Sequence, residues 1–505
     1  MNPLPTLTVL EQSKVSPPPA TIGCKSLPLT FCDMVWLTIP EPVHTLFFYE
    51  LLITKTYFTQ TIVPNLKQSL STTLQHFFPY VGKLTIFPTC GRLPEIRYVD
   101  GDSVDVTIAE CNLAFSDLTG NHPRKCDKFY HLIPLLGCVA KVSDHVTIPV
   151  FAVQVTLFPN HGISIGMTNH HSLGDASTRF CFLKAWTAIA QTGSDDWFLA
   201  NGTLPVYERL LNYPKLDESL SKIAKVEIFD KVYKLRQLCG PTDKVRTTFI
   251  LTRTVINGLK KLATTQLPTL AYVSSFTVTC AYIWSCLAKL HNEELAMFLF
   301  AVDCRTRIDP PIPAAYFGNC ITPCVNLART TILKDKEGFL TAARLIGENL
   351  NKKLTNVKDE LVRDHIGSIK SLVPEGGPTT KMIGIAGTTK LGFYDFDLGF
   401  GKPIKHETIS IDYNGSISIS ASRESNEDLE IGVCLSANEM DDFVESSEKV
   451  VVVVGNNKSK EKIPMPFRRL MKGDHRLIRS IHDGGIVMVS RIMTRVEGIY
   501  HRRWR

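Results

Sequence analysis

The feature that most constrains this chain is a strand that runs straight into a polar loop and then into a helix. From Gly162 to Met167 the apolar residues alternate with Gly or Ser, which is the period of a strand. The next residues, Asn169 to Asp175, read Asn-His-His-Ser-Leu-Gly-Asp, and Ser177 to Ala190 has the apolar spacing of a helix. Loops of this kind often carry catalytic side chains. The segment predicts an α/β fold with a candidate site at this loop.

His171 and Asp175 are the first candidate catalytic residues, because they form an H-x-x-x-D pattern in that loop. With fourteen histidines in the chain, one chance occurrence is roughly an even bet, so the pattern alone is weak. A neutral imidazole suits the removal of a hydroxyl proton at pH 7, as acyl transfer requires. The alternative is a turn in which Asp175 only caps the helix that follows.

Two other chemistries fit the same loop less well. A zinc site of His170, His171 and Asp175 is disfavoured because the side chains of adjacent histidines diverge and no other spaced Cys/His cluster completes it. We therefore expect no bound metal. A serine hydrolase needs G-x-S-x-G at a sharp strand-to-helix turn, but Gly162 to Gly166 carries that string inside the strand.

The net charge of +7 does not indicate an anionic macromolecular partner. Residues 447–505 contain fourteen Lys or Arg and five Asp or Glu, so the rest of the chain carries a net charge of −2. We therefore expect no nucleic-acid partner, and the absence of a membrane-length apolar stretch predicts no membrane partner.

Scattered cysteines and a Pro-rich start without a secretory signal predict a cytoplasmic protein with free thiols.

The length of 505 residues and the alternation of predicted strands and helices indicate two domains. Residues 1–194 and 226–446 are predicted to form them, with the polar stretch 195–225 as the connection. Residues 447–505 are predicted to be a basic, poorly ordered tail. Within the domains, Val63 to Phe78 is predicted as a helix and Ile409 to Ser420 as a strand.

Further motifs follow H-x-x-x-D along the chain. Val302 to Arg307 reads V-D-C-R-T-R, Tyr316 to Cys320 reads Y-F-G-N-C, and Asp397 to Gly401 reads D-L-G-F-G. With this ordered set the chain resembles the BAHD acyl-CoA-dependent acyltransferases of plants, over about residues 5 to 446. The Y-F-G-N-C string is typical of the subgroup that acylates anthocyanin, flavonoid and other phenolic glucosides, often with malonyl-CoA.

The resemblance implies two similar chloramphenicol-acetyltransferase-like α/β domains with the active site in a channel at their interface. His171 would be the general base that takes the proton of a sugar hydroxyl. Asp175 would be chiefly structural and would pair with Arg305 or Arg307. His170 would be a supporting neighbour of the base.

The same resemblance implies further site residues. Asp397, Gly399 and Gly401 of the D-L-G-F-G string would be structural. Tyr316 and Asn319 are candidates for substrate binding.

A malonyl donor requires a cation near its distal carboxylate. Arg179, one helical turn beyond Asp175, is the first candidate and Lys184 the second. The alternative is that both are solvated residues of the helix.

The implied reaction moves a malonyl group from malonyl-CoA, a co-substrate, to a phenolic glucoside. The resemblance implies no permanently bound cofactor and a monomer. Alternatives are a hydroxycinnamoyl or acetyl donor, and an inactive relative that binds small phenolics. The chain departs from the family at Leu398 and Phe400, where Phe and Trp are usual, so it lacks an indole N–H at this motif.

Overall fold

The structure is a computed structural model that describes residues 7–39, 41–88, 91–142, 144–229, 240–270, 273–366, 377–425 and 427–455. Its strands are β1 Leu7–Val15, β2 Lys25–Pro28, β3 Val43–Glu50, β4 Lys83–Ile86, β5 Glu95–Tyr98, β6 Val104–Cys111, β7 Arg124–Lys125, β8 Ala140–Lys141, β9 Val146–Pro149, β10 Phe151–Phe158, β11 Gly162–Asn169, β12 Lys244–Leu251, β13 Leu295–Asp303, β14 Ile321–Arg329, β15 Thr380–Thr388, β16 Lys405–Thr408, β17 Ile417–Ala421 and β18 Leu429–Ser436. Its α-helices are α1 Phe31–Met34, α2 Lys55–Tyr57, α3 Val63–His76, α4 Phe115–Thr119, α5 Asp127–Tyr130, α6 Ala176–Thr192, α7 Asp196–Asn201, α8 Pro214–Phe229, α9 Arg253–Gln266, α10 Ser275–Ala288, α11 Thr330–Lys334, α12 Gly338–Thr355, α13 Val357–Ile366, α14 Ile411–Asn414 and α15 Ala437–Gly455.

The strands form three sheets, and the predicted α/β class is confirmed. A six-stranded sheet has the order β1-β6-β10-β11-β3-β16, and a seven-stranded sheet has the order β14-β13-β15-β17-β18-β12-β7. A smaller sheet has the order β2-β5-β4-β9-β8. Antiparallel and parallel pairs occur together, since β10 pairs antiparallel with β11 and parallel with β6.

The two large sheets exchange strands between the two halves of the chain. The late strand β16 pairs with β3, placing Lys405 opposite Phe48 in the six-stranded sheet. The early two-residue strand β7 pairs with β12, placing Arg124 opposite Arg246 in the seven-stranded sheet. Each sheet is therefore completed by a segment of the other half, so the halves are joined by main-chain hydrogen bonds.

Strand β11 and helix α6 place the loop of interest. All eight residues of β11 are buried, which suits a central strand covered on both faces. Helix α6 begins at the N-cap Asp175 and ends at Gly193, whose φ of +75° gives the left-handed cap that glycine adopts easily. Its buried face includes Phe182 and Trp186, which pack in the core under the six-stranded sheet.

Each large sheet has its own apolar core. The first core contains the buried rings of Phe77, Tyr80 and Trp186, and it extends to Tyr316 and Phe317 of the second half. A second core contains residues such as Trp284, Phe298 and Phe443. The described residues lie in one compact unit, so the boundaries expected at residues 194, 225 and 446 remain a prediction.

Several predicted elements form with small shifts in their ends. The helix predicted from Val63 to Phe78 ends at His76, and the helix predicted from Ser177 to Ala190 spans Ala176–Thr192. The strand predicted from Ile409 to Ser420 is wrong in its first half, which is the turn of helix α14, and correct from Ile417. The cause is Gly415 with a φ of +67°, which interrupts the alternation.

The stretches predicted to be irregular are more regular than expected. The connection 195–225 contains α7 and most of α8, because its apolar residues follow a helical period between the prolines. Helix α15 continues through the predicted boundary at residue 446 as far as Gly455. The rest of the predicted tail, 456–505, lies outside the described residues.

Among the helices that the structure describes, none combines the length and the apolar character needed to cross a membrane.

Candidate active site

His171 opens a 3₁₀ turn, His171–Leu173, directly after β11. Its imidazole is half-buried and stacks on the indole of Trp36, with 3.5 Å between ring centroids and 10° between planes. Its Nδ1 is buried, and within the described part of the chain no group completes a hydrogen bond to it. The ring is thus held by stacking and by its main chain.

The electrostatic surroundings keep His171 neutral. Burial is the main reason that the pKa of His171 falls from 6.5 to about 4, and the positive charge of Arg179 contributes to this fall. A hydrogen bond to its own main chain, Asp175 and Asn319 oppose the fall. A neutral imidazole has a free lone pair at pH 7, which a general base requires.

His170 is almost fully buried. Its Nδ1 accepts the backbone N–H of Ser172 at 3.2 Å and lies 2.7 Å from the Ser172 hydroxyl. Burial lowers its pKa to about 3, helped by the adjacent His171. It bonds within the turn that His171 opens, and its role as a supporting neighbour of the base remains a prediction.

Asp175 is turned into the protein. Its Oδ1 caps helix α6 by accepting the backbone N–H groups of Ser177 and Thr178 at 3.1 and 3.2 Å. Its Oδ2 accepts the backbone N–H of Cys320 at 3.0 Å. The carboxylate therefore joins the start of α6 to the Y-F-G-N-C segment of the second half.

Arg305 is the arginine that pairs with Asp175. Its Nη1 and Nη2 lie 2.8 and 3.0 Å from the two carboxylate oxygens, a bidentate pair with both side chains buried. Burial raises the pKa of Asp175, but Arg305 and the N–H donors hold it below its usual range. Arg307, the other candidate, donates to the carbonyl oxygen of Asp303 at 2.7 Å.

The two substrate-binding candidates of Y-F-G-N-C lie inside the protein, with exposed fractions of 1% for Tyr316 and 0% for Asn319. The ring of Tyr316 lies between the guanidinium groups of Arg209, at 4.9 Å, and Arg305, at 5.9 Å. The amide nitrogen of Asn319 donates to the carbonyl oxygen of His171 at 3.1 Å. Asn319 therefore contacts the main chain of His171, and Tyr316 packs against two arginines, whereas the substrate-binding role expected of both residues remains a prediction.

Arg179 lies one turn into α6, with its backbone N–H bonded to the carbonyl of Asp175. Across the described ranges no carboxylate forms an ion pair with it, and its buried Nε has no hydrogen-bond partner. Burial lowers its pKa, although Tyr80 and Asp175 oppose this. The second cation candidate, Lys184, is exposed and lies over the ring of Phe180.

The D-L-G-F-G segment forms a turn. Asp397 Oδ1 accepts the N–H groups of Gly399 and Gly401 at 2.9 and 2.8 Å, and both glycines have positive φ. Phe400 packs edge-on against Tyr49 at 4.9 Å, so a phenyl ring fills the place of the usual indole. The turn therefore packs against β3 through Phe400, and the structural role expected of Asp397, Gly399 and Gly401 remains a prediction.

Sequence reasoning missed several residues of the site. Trp36 carries no pattern, whereas Asp33 had a signal, since Thr30-x-x-Asp33 reads as a capping box and does form one. Thr178 donates its hydroxyl to the carbonyl of Gly318 at 2.9 Å, a contact between distant segments that spacing alone does not reveal.

A group of potential metal ligands, Cys126, Asp412 and Cys434, lies elsewhere, with ligand atoms within 4.8 Å of one another. The guanidinium of Arg246 is 3.3 Å from Asp412, which disfavours a cation there. None of the three was a predicted site residue.

Comparison with known proteins gives the relatives and the fold of the chain. The Transferase family model matches residues 6–450. The malonyl-coenzyme A:anthocyanin 3-O-glucoside-6''-O-malonyltransferase of Dahlia pinnata is 52% identical over 458 residues, covering 88% of this chain and 97% of the relative. Phenolic glucoside malonyltransferase 1 of Nicotiana tabacum is 39% identical, covering 82% and 91%. The crystal structure of vinorine synthase has a similar fold, with a TM-score of 0.61 at 19% identity, covering 86% and 96%.

Proposed function

The chain belongs to the Transferase family, the BAHD acyltransferases, and from this we propose that it transfers a malonyl group from malonyl-CoA to a sugar hydroxyl of an anthocyanin or other phenolic glucoside. The observation that carries the proposal is that a neutral His171 is followed, in the first turn of α6, by Arg179, which forms no ion pair with a carboxylate of the described residues. The first supplies a base for a hydroxyl, and the second supplies a cation for a carboxylate.

His171 acts on the hydroxyl of the glucoside. Since Nδ1 is buried, Nε2 is the ring nitrogen available to a substrate. It takes the hydroxyl proton while the oxygen attacks the thioester carbonyl carbon, giving a tetrahedral intermediate. The carbon–sulfur bond then breaks, and the imidazolium returns the proton to the sulfur, which leaves as the free thiol of coenzyme A.

Asp175 and Arg305 hold the loop during this cycle. Both carboxylate oxygens are occupied by Arg305 and by main-chain N–H groups, so Asp175 is not free to relay the proton of His171. Its task is to fix the start of α6 and the Y-F-G-N-C segment against each other.

Arg179 links the choice of the acyl-CoA donor to the basicity of His171. Its charge lowers the pKa of His171, and the carboxylate of a bound malonyl group would neutralise that charge. The pKa of His171 therefore rises when malonyl-CoA binds, which makes the imidazole a stronger base. An acetyl or hydroxycinnamoyl donor lacks this carboxylate and gains no such effect.

Donor competition tests the proposal. Purified protein is given malonyl-CoA, acetyl-CoA and coumaroyl-CoA with phenolic glucosides, and thiol release and product mass are recorded. We expect a malonyl mass increment that requires the glucoside, and a loss of malonyl preference in Arg179→Ala but not in the control Lys184→Ala. A preference for coumaroyl-CoA, or an unchanged donor ratio in Arg179→Ala, would contradict the proposed donor.

A further inference from the structure

Asp33, in the short helix α1, is a carboxylate with an exposed fraction of 1% that reaches the loop behind His171. Its Oδ1 accepts two hydrogen bonds from Asn319, one from the backbone N–H at 2.7 Å and one from the amide Nδ2 at 2.9 Å. Its Oδ2 accepts the backbone N–H and the hydroxyl of Thr30 at 3.1 and 2.9 Å. The carboxylate thus joins α1 to the Y-F-G-N-C segment.

The bond from Asn319 to Asp33 fixes the orientation of the amide. Nδ2 lies beside two acceptors, the carboxylate of Asp33 and the carbonyl oxygen of His171 at 3.1 Å. A flipped amide would place the oxygen Oδ1 against both acceptors, so only this orientation lets the Nδ2 hydrogens find their partners. The carboxylate therefore decides how Asn319 faces the main chain of His171.

We propose that Asp33 is a positioning residue for acyl transfer, acting through Asn319 on the main chain of His171. The proposal rests on the proposed function, because it assumes that His171 is the base. Displacing a reacting group by a fraction of an ångström lowers turnover without weakening substrate binding. Loss of Asp33 should therefore lower kcat and leave KM almost unchanged.

A purely structural alternative is that Asp33 only stabilises α1 through Thr30. Asp217 provides a matched control, because its Oδ1 holds the same helix by accepting the backbone N–H of Phe31 at 2.6 Å. Asp217→Ala thus loosens α1 through Phe31, whereas Asp33→Ala releases Asn319 and also the guanidinium of Arg209, which lies 3.6 Å from Oδ2. The comparison with Asn319→Ala separates the part that acts through Asn319.

The test is a double-mutant cycle of Asp33→Ala and Asn319→Ala in the full chain, with Asp217→Ala alongside and melting curves for every variant. Assays use whichever acyl donor the wild type turns over. We expect Asp33→Ala to lower kcat about 100-fold with KM for both substrates within about threefold, and to add less than about threefold in the Asn319→Ala background. Asp33→Asn, which keeps one acceptor oxygen, should recover part of kcat.

Three results would overturn the proposal: kcat of Asp33→Ala near the wild-type value, a full loss that persists in the Asn319→Ala background, or an equal loss in Asp217→Ala. If Asp33→Ala shows no cooperative melting transition, Asp33→Asn replaces it in the same cycle. A wild type that turns over no acyl donor would instead refute the proposed function, and with it the reaction that Asp33 is inferred to support.

Discussion

Two buried ionic clusters join the halves of the molecule, and they use their carboxylates differently. The loop cluster consists of Asp33, Asp175, Arg305 and Asn319 around the turn of His171. Its carboxylates pair with arginines, Asp175 with Arg305 and Asp33 with Arg209, but they also accept main-chain N–H groups. Asp175 accepts that of Cys320, and Asp33 accepts that of Asn319. A carboxylate bonded to main-chain donors fixes the path of a loop.

The seam cluster lies where the two sheets exchange strands and consists of Arg124, Arg246, Lys405, Glu407 and Asp412. Arg124 Nη1 is 2.5 Å from Glu407, and Arg246 lies 3.3 Å from both Glu407 and Asp412. Here the carboxylates meet charged side chains from other strands. Such a cluster holds strands together and fixes no loop near His171.

The comparison indicates that buried charges have two separate roles in this fold, fixing the loop of His171 and holding the exchanged strands together. We expect damage to the loop cluster to reduce both turnover and stability, because it moves His171. Damage to the seam cluster should reduce stability and leave the turnover of the folded enzyme unchanged.

The largest effect on turnover should come from removing the imidazole of His171, which the loop cluster holds in place. His171→Ala should lower kcat by about 10³-fold or more through loss of the base. The half-buried ring makes few polar contacts, so the melting temperature should stay close to that of the wild type. Thiol release and a thermal melt measure the two quantities, and appreciable residual turnover would refute the assignment of the base.

Asp175→Asn, in the loop cluster, should lower both the stability of the protein and its kcat. It leaves the buried Arg305 with only the exposed carboxylate of Asp303, 3.2 Å from Nη1, as an ionic partner, which costs about 3 kcal/mol of unfolding free energy. The loop shifts as well, so kcat should fall by about 100-fold. Urea unfolding measures the loss of stability, and steady-state kinetics measure the fall in kcat. Normal turnover in the folded variant would break the link between this cluster and His171.

Glu407→Gln in the seam cluster corresponds to Asp175→Asn in the loop cluster, because each replaces a buried carboxylate by an amide. The carboxylate pairs with Arg124 and Arg246, so its loss should cost about 3 kcal/mol of stability with kcat within about twofold. A fall in kcat like that of Asp175→Asn would show that the clusters are not separable.

The pH dependence of stability sharpens the same prediction. The three cations around Glu407 lower its pKa from 4.5 to about 2 despite burial, so its contribution is complete above pH 4.5 and lost as the pH falls towards 2. The stability difference between wild type and Glu407→Gln should narrow across that window. A difference independent of pH there would contradict the ionic explanation.

Phe400→Trp should have the smallest effect. The ring packs edge-on against Tyr49 and is part-buried, so an indole fits with little rearrangement. Stability should change by less than about 1 kcal/mol and turnover by less than about twofold. A melting curve and thiol release suffice, and a large gain in activity would give the D-L-G-F-G turn a role in the reaction.

The sequence contains enough to place the loop of His171 between a strand and a helix, because the strand of Gly162 to Asn169, the N-cap Asp175 and helix α6 are all local patterns. It narrowed the partner of Asp175 to two arginines, and only the tertiary arrangement selects Arg305. Glu407 and Arg124 have no local signature, since they meet only after two short strands change sheets. The turn at Gly415 was missed because apolar alternation continues on both sides of it.

The most direct test of the account is the pH dependence of kcat/KM for the wild type with malonyl-CoA and a glucoside. Burial and Arg179 place the pKa of His171 at about 4, so kcat/KM should stay level from pH 8 to about pH 5 and fall with a midpoint near 4. A midpoint near the ordinary histidine value of about 6.5 would contradict a buried, neutral base beside an unpaired arginine.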